Sequence, residues 1–84
     1  MMPDIKVYGT PGCHQCTATT RWLDSRGYDY TYIHLEHFPD AASKLRERGH
    51  VSMPVVTVTR ADGGTAEWSG FRPSVLETAI GGAV

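Results

Sequence analysis

Two strand-forming runs with one helix-length segment between them restrict this chain more than any other feature. Ile5-Lys6-Val7-Tyr8 alternates in the manner of a strand, and Tyr28 to Leu35 is β-branched and aromatic. Between them Gly9-Thr10-Pro11-Gly12 breaks the first strand, and a helix is expected from about Cys13 to Arg26, with Gly27 as its stop. The apolar positions of that helix, Cys16, Ala18, Trp22 and Leu23, fit its period only loosely, so the expectation rests on the start and stop signals. Two strands joined through a helix must lie parallel, with a right-handed crossover.

The remainder adds a helix, a hairpin and a closing helix. Pro39 suits the first turn of a helix in which Ala41, Ala42 and Leu45 face inward, Lys44, Arg46, Glu47 and Arg48 face out, and Gly49 ends the run. Val55-Val56-Thr57-Val58-Thr59 is the clearest strand, and Ala61-Asp62-Gly63-Gly64 is a hairpin turn signal that returns the chain antiparallel from Thr65 to Trp68. A last helix begins near Pro73 and runs through Val75, Leu76, Ala79 and Ile80 to Gly81. The order β-α-β-α-β-β-α predicts an α/β fold of thioredoxin-like architecture, a four-stranded mixed sheet with helices on both faces. At 84 residues the chain has room for a single domain spanning 1–84.

Composition removes several functional classes. With 40% hydrophobic and 20% charged residues, the chain is too apolar and too evenly charged to be disordered. A formal net charge of −1 argues against nucleic acid or an anionic membrane as the main partner, since both need a positive patch. No apolar run approaches the ~20 residues of a membrane span. Met1-Met2-Pro3-Asp4-Ile5-Lys6 has no apolar segment of the kind a signal peptide carries, so a cytoplasmic location is expected.

The cysteines are Cys13 and Cys16 alone. A bridge across so small a loop does little to the entropy of the unfolded chain, so a disulfide here would not serve stability. The pair falls directly after the first strand, at the start of the first helix, where this spacing points to redox chemistry. Residues one helical turn apart are close enough for their sulfurs to bond. The helix N-terminus offers free N–H groups and a partial positive charge of roughly half a unit. Those groups favour a thiolate on Cys13 over one on Cys16, and in such motifs the first thiol falls from ~8.5 to near 7. The thiolate is the attacking species in exchange, so Cys13 is the expected nucleophile and Cys16 the resolving thiol. Read without function, the two are ordinary buried cysteines. Their place on this turn of this fold argues against that.

Pro54 stands in Ser52-Met53-Pro54-Val55-Val56, just ahead of the strongest strand, where a proline removes a ladder donor and so belongs at the strand's first residue or edge. In this fold a cis Met53–Pro54 bond would set the Met53 backbone beside the cysteines, open to an extended partner strand. His14 and Gln15, between the cysteines, are candidates for tuning the redox pair. Protonated His14 would add positive charge beside Cys13, although at an unperturbed pKa of ~6.5 its effect at pH 7 is small.

A metal site is the competing reading. Cys13 and Cys16 are followed by His34 and His37, and four such ligands could hold zinc tetrahedrally. The histidine spacing is off that of a finger, His34 ends a strand on the face of Tyr32 and Tyr30, and His37 lies in the following loop. His34, His37 and His50 are therefore read as surface residues, and no metal site is expected. An iron–sulfur scaffold would need thiolates from a second chain or from glutathione.

Three stretches together resemble the NrdH-redoxins, small glutaredoxin-like proteins with thioredoxin-like behaviour: Tyr8-Gly9-Thr10-Pro11-Gly12-Cys13-His14-Gln15-Cys16, Met53-Pro54-Val55-Val56 and Trp68-Ser69-Gly70-Phe71-Arg72-Pro73. The last stretch is the specific one, since the paired cysteines alone would also fit glutaredoxins or thioredoxins. The resemblance implies a dithiol electron donor to class Ib ribonucleotide reductase, re-reduced by thioredoxin reductase at the expense of NADPH, with no bound cofactor. It matches Cys13 and Cys16 to the redox pair and Met53 and Pro54 to the cis-proline site. It matches Trp68, Ser69, Gly70, Phe71, Arg72 and Pro73 to the segment that packs near the pair and forms the partner-docking face. A carrier shuttling between partners suits a monomer. The chain departs from the family at His14, where an apolar residue is usual, and at Ser74, where an acid is usual. A glutathione-dependent glutaredoxin would show a Gly-Gly-x-Asp signature where Ser69-Gly70-Phe71-Arg72 stands, which favours a flavoprotein reductase over glutathione as electron source. Glutathione-dependent glutaredoxin and general protein-disulfide reductase are the alternatives.

Overall fold

Val7 and Ile5 alternate with Tyr8 and Lys6 along the first strand, and that alternation divides the core in two. The computed structural model describes residues 3–81. Met1 and Met2 at the head of the chain and Gly82 of the terminal glycine pair lie outside the described residues. The elements are β1 (Asp4–Gly9), α1 (His14–Ser25), β2 (Thr31–His34), a 3-10 turn (Leu35–His37), α2 (Pro39–Glu47), β3 (Val55–Thr59), β4 (Thr65–Ser69) and α3 (Pro73–Gly81). The sheet order is β2-β1-β3-β4. β1 and β2 are parallel, while β3 is antiparallel to both β1 and β4. This is the thioredoxin-like arrangement expected from the element order.

On one face Ile5, Val7, Val56, Val58 and Trp68 pack with Leu23 of α1 and Leu76, Ala79 and Ile80 of α3. On the other, Val55 packs with Leu35 and with Leu45 of α2, flanked by Tyr8, Ala41, Ala42 and Met53. Period-two alternation within β1 and β3 thus feeds both layers, and helices cover both faces.

β2 is shorter than the β-branched run suggests. Tyr28 to Tyr30 are not strand, because the end of α1 holds the first of them: Gly27, at φ +73°, lets its own N–H reach Asp24 O (3.1 Å) and the Tyr28 N–H reach Leu23 O (3.0 Å). Tyr28 then stacks on Trp22, with ring centroids 6.3 Å apart. The buried face of α1 also differs from expectation. It is Cys16, Thr19 and Leu23, while Ala18 and Trp22 are only half-buried. Thr19 is fully buried because its hydroxyl donates to Gln15 O at 2.8 Å, which removes the cost of taking it from water.

The β3–β4 turn is closed by Asp62, whose Oδ1 accepts from the Gly64 N–H at 2.8 Å and lies 3.4 Å from Arg60 Nε. That hydrogen bond, with the Arg60 charge, holds the Asp62 carboxyl below its ordinary pKa. A carboxyl depressed by folding stabilises the fold above the ordinary carboxylate range and loses that contribution as pH falls through the depressed value. Asp62→Ala should therefore lower the urea midpoint slightly at neutral pH, and the gap to the unaltered protein should close in acid. An equal gap at both pH values would contradict this account.

Candidate active site

α1 begins where the chain leaves β1, a central strand, so its free N–H groups open at the end of the sheet beside the β3 entry loop. Cys13 is the N-cap residue, with extended backbone (φ −88°, ψ 108°), and its Sγ accepts from the Cys16 N–H at 3.1 Å. An N-cap sulfur in this position takes a donor that the helix itself cannot satisfy, and a thiolate there meets the positive end of the helix. Cys13 and Cys16 form a disulfide, with Cα atoms 5.2 Å apart. The two sulfurs are not equivalent: Cys13 is half-exposed, whereas Cys16 is 2% exposed.

The Met53–Pro54 bond is cis. Pro54 is buried at the foot of β3, and the Met53 carbonyl oxygen lies 3.6 Å from Cys13 Sγ. The segment after β4 closes the third side. Gly70 N–H donates to Pro54 O at 2.7 Å, and Phe71 N–H donates to Gln15 Oε1 at 2.9 Å. One clamp thus ties the dithiol helix, the proline loop and the Ser69-Gly70-Phe71 stretch together.

Of the residues singled out in the sequence, Cys13, Gln15, Met53, Pro54, Gly70 and Phe71 converge. Trp68 does not present a surface. It is 7% exposed and lies in the core, supporting the segment from behind. Ser69 and Phe71 are half-buried, while Arg72 and Pro73 are exposed at the start of α3. His14 is exposed. Gln15, a tuning candidate by its place between the cysteines, has its side-chain oxygen occupied as an acceptor for the Phe71 N–H.

His50 requires a correction, because it is not a free surface residue. Its Nδ1 lies 2.7 Å from Ser69 Oγ and its Nε2 lies 2.7 Å from Glu67 Oε2, while Arg48 Nη1 lies 2.8 Å from the other Glu67 oxygen. The sequence signal for this is Gly49, whose φ of +91° ends α2 and lets the His50 N–H bond Leu45 O at 3.1 Å, turning the ring toward β4. His34 and His37 are exposed, with ring centroids 6.2 Å apart. Among the described residues no three His, Cys, Asp or Glu side chains gather where a metal ion could be held.

Sequence reasoning gave no role to Tyr32. Two adjoining clefts flank the cysteines, one of about 380 Å³ reaching Cys13 and one of about 300 Å³ reaching Cys16, and Tyr32, Thr17 and His34 line both.

A dithiol–disulfide pair on a capped helix, one sulfur open and one enclosed, beside an accessible main-chain edge, is suited to exchange with disulfides of other molecules. The comparisons agree with that chemistry. The glutaredoxin family model matches residues 5–61. The glutaredoxin-like protein NrdH of Escherichia coli K12 is 39% identical over 72 residues, which is 86% of this chain and 83% of the relative, and the Salmonella typhimurium protein of that name matches equally. The solved structure of E. coli NrdH-redoxin, described as glutaredoxin-like with a thioredoxin-like activity profile, superposes with a TM-score of 0.77 at 39% identity, covering 88% of this chain and 91% of that one. A glutaredoxin from Archaeoglobus fulgidus shares the fold at 23% identity and a TM-score of 0.72. With most of both chains in register, this chain belongs to the NrdH glutaredoxin-like redoxins and is a thiol–disulfide oxidoreductase.

Proposed function

We propose that the chain is a monomeric cytoplasmic electron carrier that reduces class Ib ribonucleotide reductase and is itself reduced by thioredoxin reductase, drawing on NADPH through that enzyme. Cys13 is the nucleophile. Its thiolate attacks a disulfide sulfur of the target, one target sulfur leaves as a thiolate, and a mixed disulfide remains. Cys16 then attacks Cys13, releasing the second target thiol and closing the Cys13–Cys16 bond. The Met53 backbone aligns an extended target strand, and Ser69, Gly70, Phe71, Arg72 and Pro73 form the docking rim, with Pro54 and Trp68 beneath it. His14 and Gln15 set the surroundings of the pair.

The observation that supports this reading best is the clamp from Gln15 Oε1 to the Phe71 N–H. It fixes the Trp68–Pro73 segment against the dithiol helix, the place where a glutathione-binding signature would otherwise stand. Electron donors test the proposal. NADPH oxidation coupled to a disulfide substrate should proceed with thioredoxin reductase and fail with glutathione plus glutathione reductase. The reverse pattern would make the protein a glutathione-dependent glutaredoxin. Rapid reduction of unrelated protein disulfides, with none of ribonucleotide reductase, would make it a general reductase.

A further inference from the structure

Tyr32 pairs with Val7, and His34 with Gly9, across the parallel β1–β2 ladder. Paired residues project to the same side of a sheet, so Tyr32 shares the face of Val7 and Gly9, onto which α1 packs. Gly9 is buried, and its lack of a side chain leaves the space that the Tyr32 ring fills. A Cβ placed on Gly9 would overlap the Tyr32 hydroxyl and stand 3.0 Å from Cys16 Sγ. The phenol oxygen and the enclosed sulfur therefore border the same small volume above Gly9. The ring is braced by His34, with centroids 4.7 Å apart and planes tilted by 54°. Tyr32 also lines both clefts beside the cysteines.

We propose that Tyr32 is a positioning residue for the resolving sulfur, its hydroxyl donating a hydrogen bond to the Cys16 thiolate that forms once the pair is reduced. This rests on the dithiol reading above and adds to it a group that neither the paired-cysteine motif nor the docking segment contains. Cys16 is the third residue of α1 and enclosed, and its own N–H is turned to Cys13 Sγ rather than to its own sulfur. Burial disfavours its charged form, so a separate donor is needed if it is to attack at neutral pH. A phenol holds its proton at neutral pH, and burial, with the Glu36 charge nearby, raises the Tyr32 pKa further. In the resolving step the Cys16 thiol gives its proton to water in the cleft, and the thiolate attacks the Cys13 sulfur. The bond from Cys13 to the target breaks, and the target sulfur leaves as a thiolate that takes up a proton. Tyr32 only donates its hydrogen bond, and its proton is not transferred. The other titratable groups at the two clefts are Cys13 and His14 at the start of α1, and Tyr30 and His34 on the β2 side.

The test separates the hydroxyl from the ring. In a Cys13→Ser background, the Cys16 Cβ carbon shift is followed against pH by NMR, with and without Tyr32→Phe, which keeps the ring over Gly9. The Cys16 titration should move up by about one unit in Tyr32→Phe, a tenfold loss of thiolate below both midpoints. Gly9→Ala, whose Cβ displaces the hydroxyl and also crowds Cys16 Sγ, should move the titration in the same direction. An unchanged Cys16 titration in Tyr32→Phe would overturn the proposal, as would a shift produced by Gly9→Ala alone. In the protein with both cysteines, release of a target from the mixed disulfide should be slowed about threefold near pH 7 by Tyr32→Phe, because the tenfold loss of thiolate is partly offset by the greater nucleophilicity of a more basic sulfur, and the slowing should be lost above the raised Cys16 pKa. If Cys16 titrates as expected but the unaltered protein does not release its target through Cys16, the dithiol reading fails and the hydrogen bond stands.

Discussion

Cys16→Ser should stop the protein after one half-turn of its cycle, leaving a covalent adduct in which Cys13 holds the target. The half-exposed sulfur of Cys13 can still attack, because its helix-cap position and the N–H of residue 16 remain. A hydroxyl at 16 cannot displace the target, since exchange needs a thiolate. Intact-mass measurement should find one target chain per redoxin, released by added dithiol, and multiple-turnover activity should fall to background. Cys13→Ser should abolish activity with no adduct, because the remaining thiol is enclosed at 2% exposure. The asymmetry between the two variants is the decisive feature. Full multiple turnover by Cys16→Ser would rule out a dithiol cycle, and adduct formation through Cys16 would reverse the assigned roles.

Leu23→Ala should produce the largest loss of stability among single changes in α1. Leu23 is fully buried and lies in the same cluster as Ile5, Val7, Val56 and Leu76, so it fastens the dithiol helix to the sheet and to α3. Truncating a leucine in such a site removes buried apolar surface and leaves a cavity, a loss of about 2–5 kcal/mol. Domains of this kind hold a total of only about 5–15 kcal/mol, so the variant should be close to half-unfolded conditions well before the unaltered protein. Urea unfolding followed by tryptophan fluorescence measures the shift in midpoint. A loss under about 1 kcal/mol would mean that the site collapses around the smaller side chain, and that α1 is held chiefly through its capped ends.

The sequence carried the architecture where local chemistry and burial agree. β3 runs from Val55 to Thr59 in both reading and structure, because a β-branched run flanked by Pro54 and a glycine turn admits one interpretation. Helix ends at Gly27 and Gly49 were legible for the same reason, as was the start of α2 at Pro39. The failures share a different cause. Thr19 looks polar in a list of residues, yet a bond to the carbonyl of Gln15 makes it core. Trp22 looks like core, yet it is half-buried at the margin of the cluster, stacked with Tyr28. Tyr28 to Tyr30 have strand composition, but the turn that ends α1 uses the Tyr28 N–H before any ladder can.

At the site, Cys13 and Cys16 were legible from spacing and position, and the proline loop from its place ahead of β3. The partners of Gln15 and His50 were not, since each contact joins residues far apart in the chain: Gln15 to Phe71, and His50 to Glu67 and Ser69. Tyr32 was hidden for a related reason. Its position depends on the absence of a side chain at Gly9, and the glycine was read as part of a strand break rather than as room for a neighbour.

The hydrogen bonds that fasten the loop before α3 are made by peptide N–H groups, at Gly70 and Phe71. The Phe71 ring adds packing against the core, while the Arg72 side chain is exposed and takes no part. Arg72 lies outside those bonds, so its substitution should leave the geometry beside the cysteines unchanged. Charge at that margin can thus be rewritten while the scaffold around the redox pair stays as built.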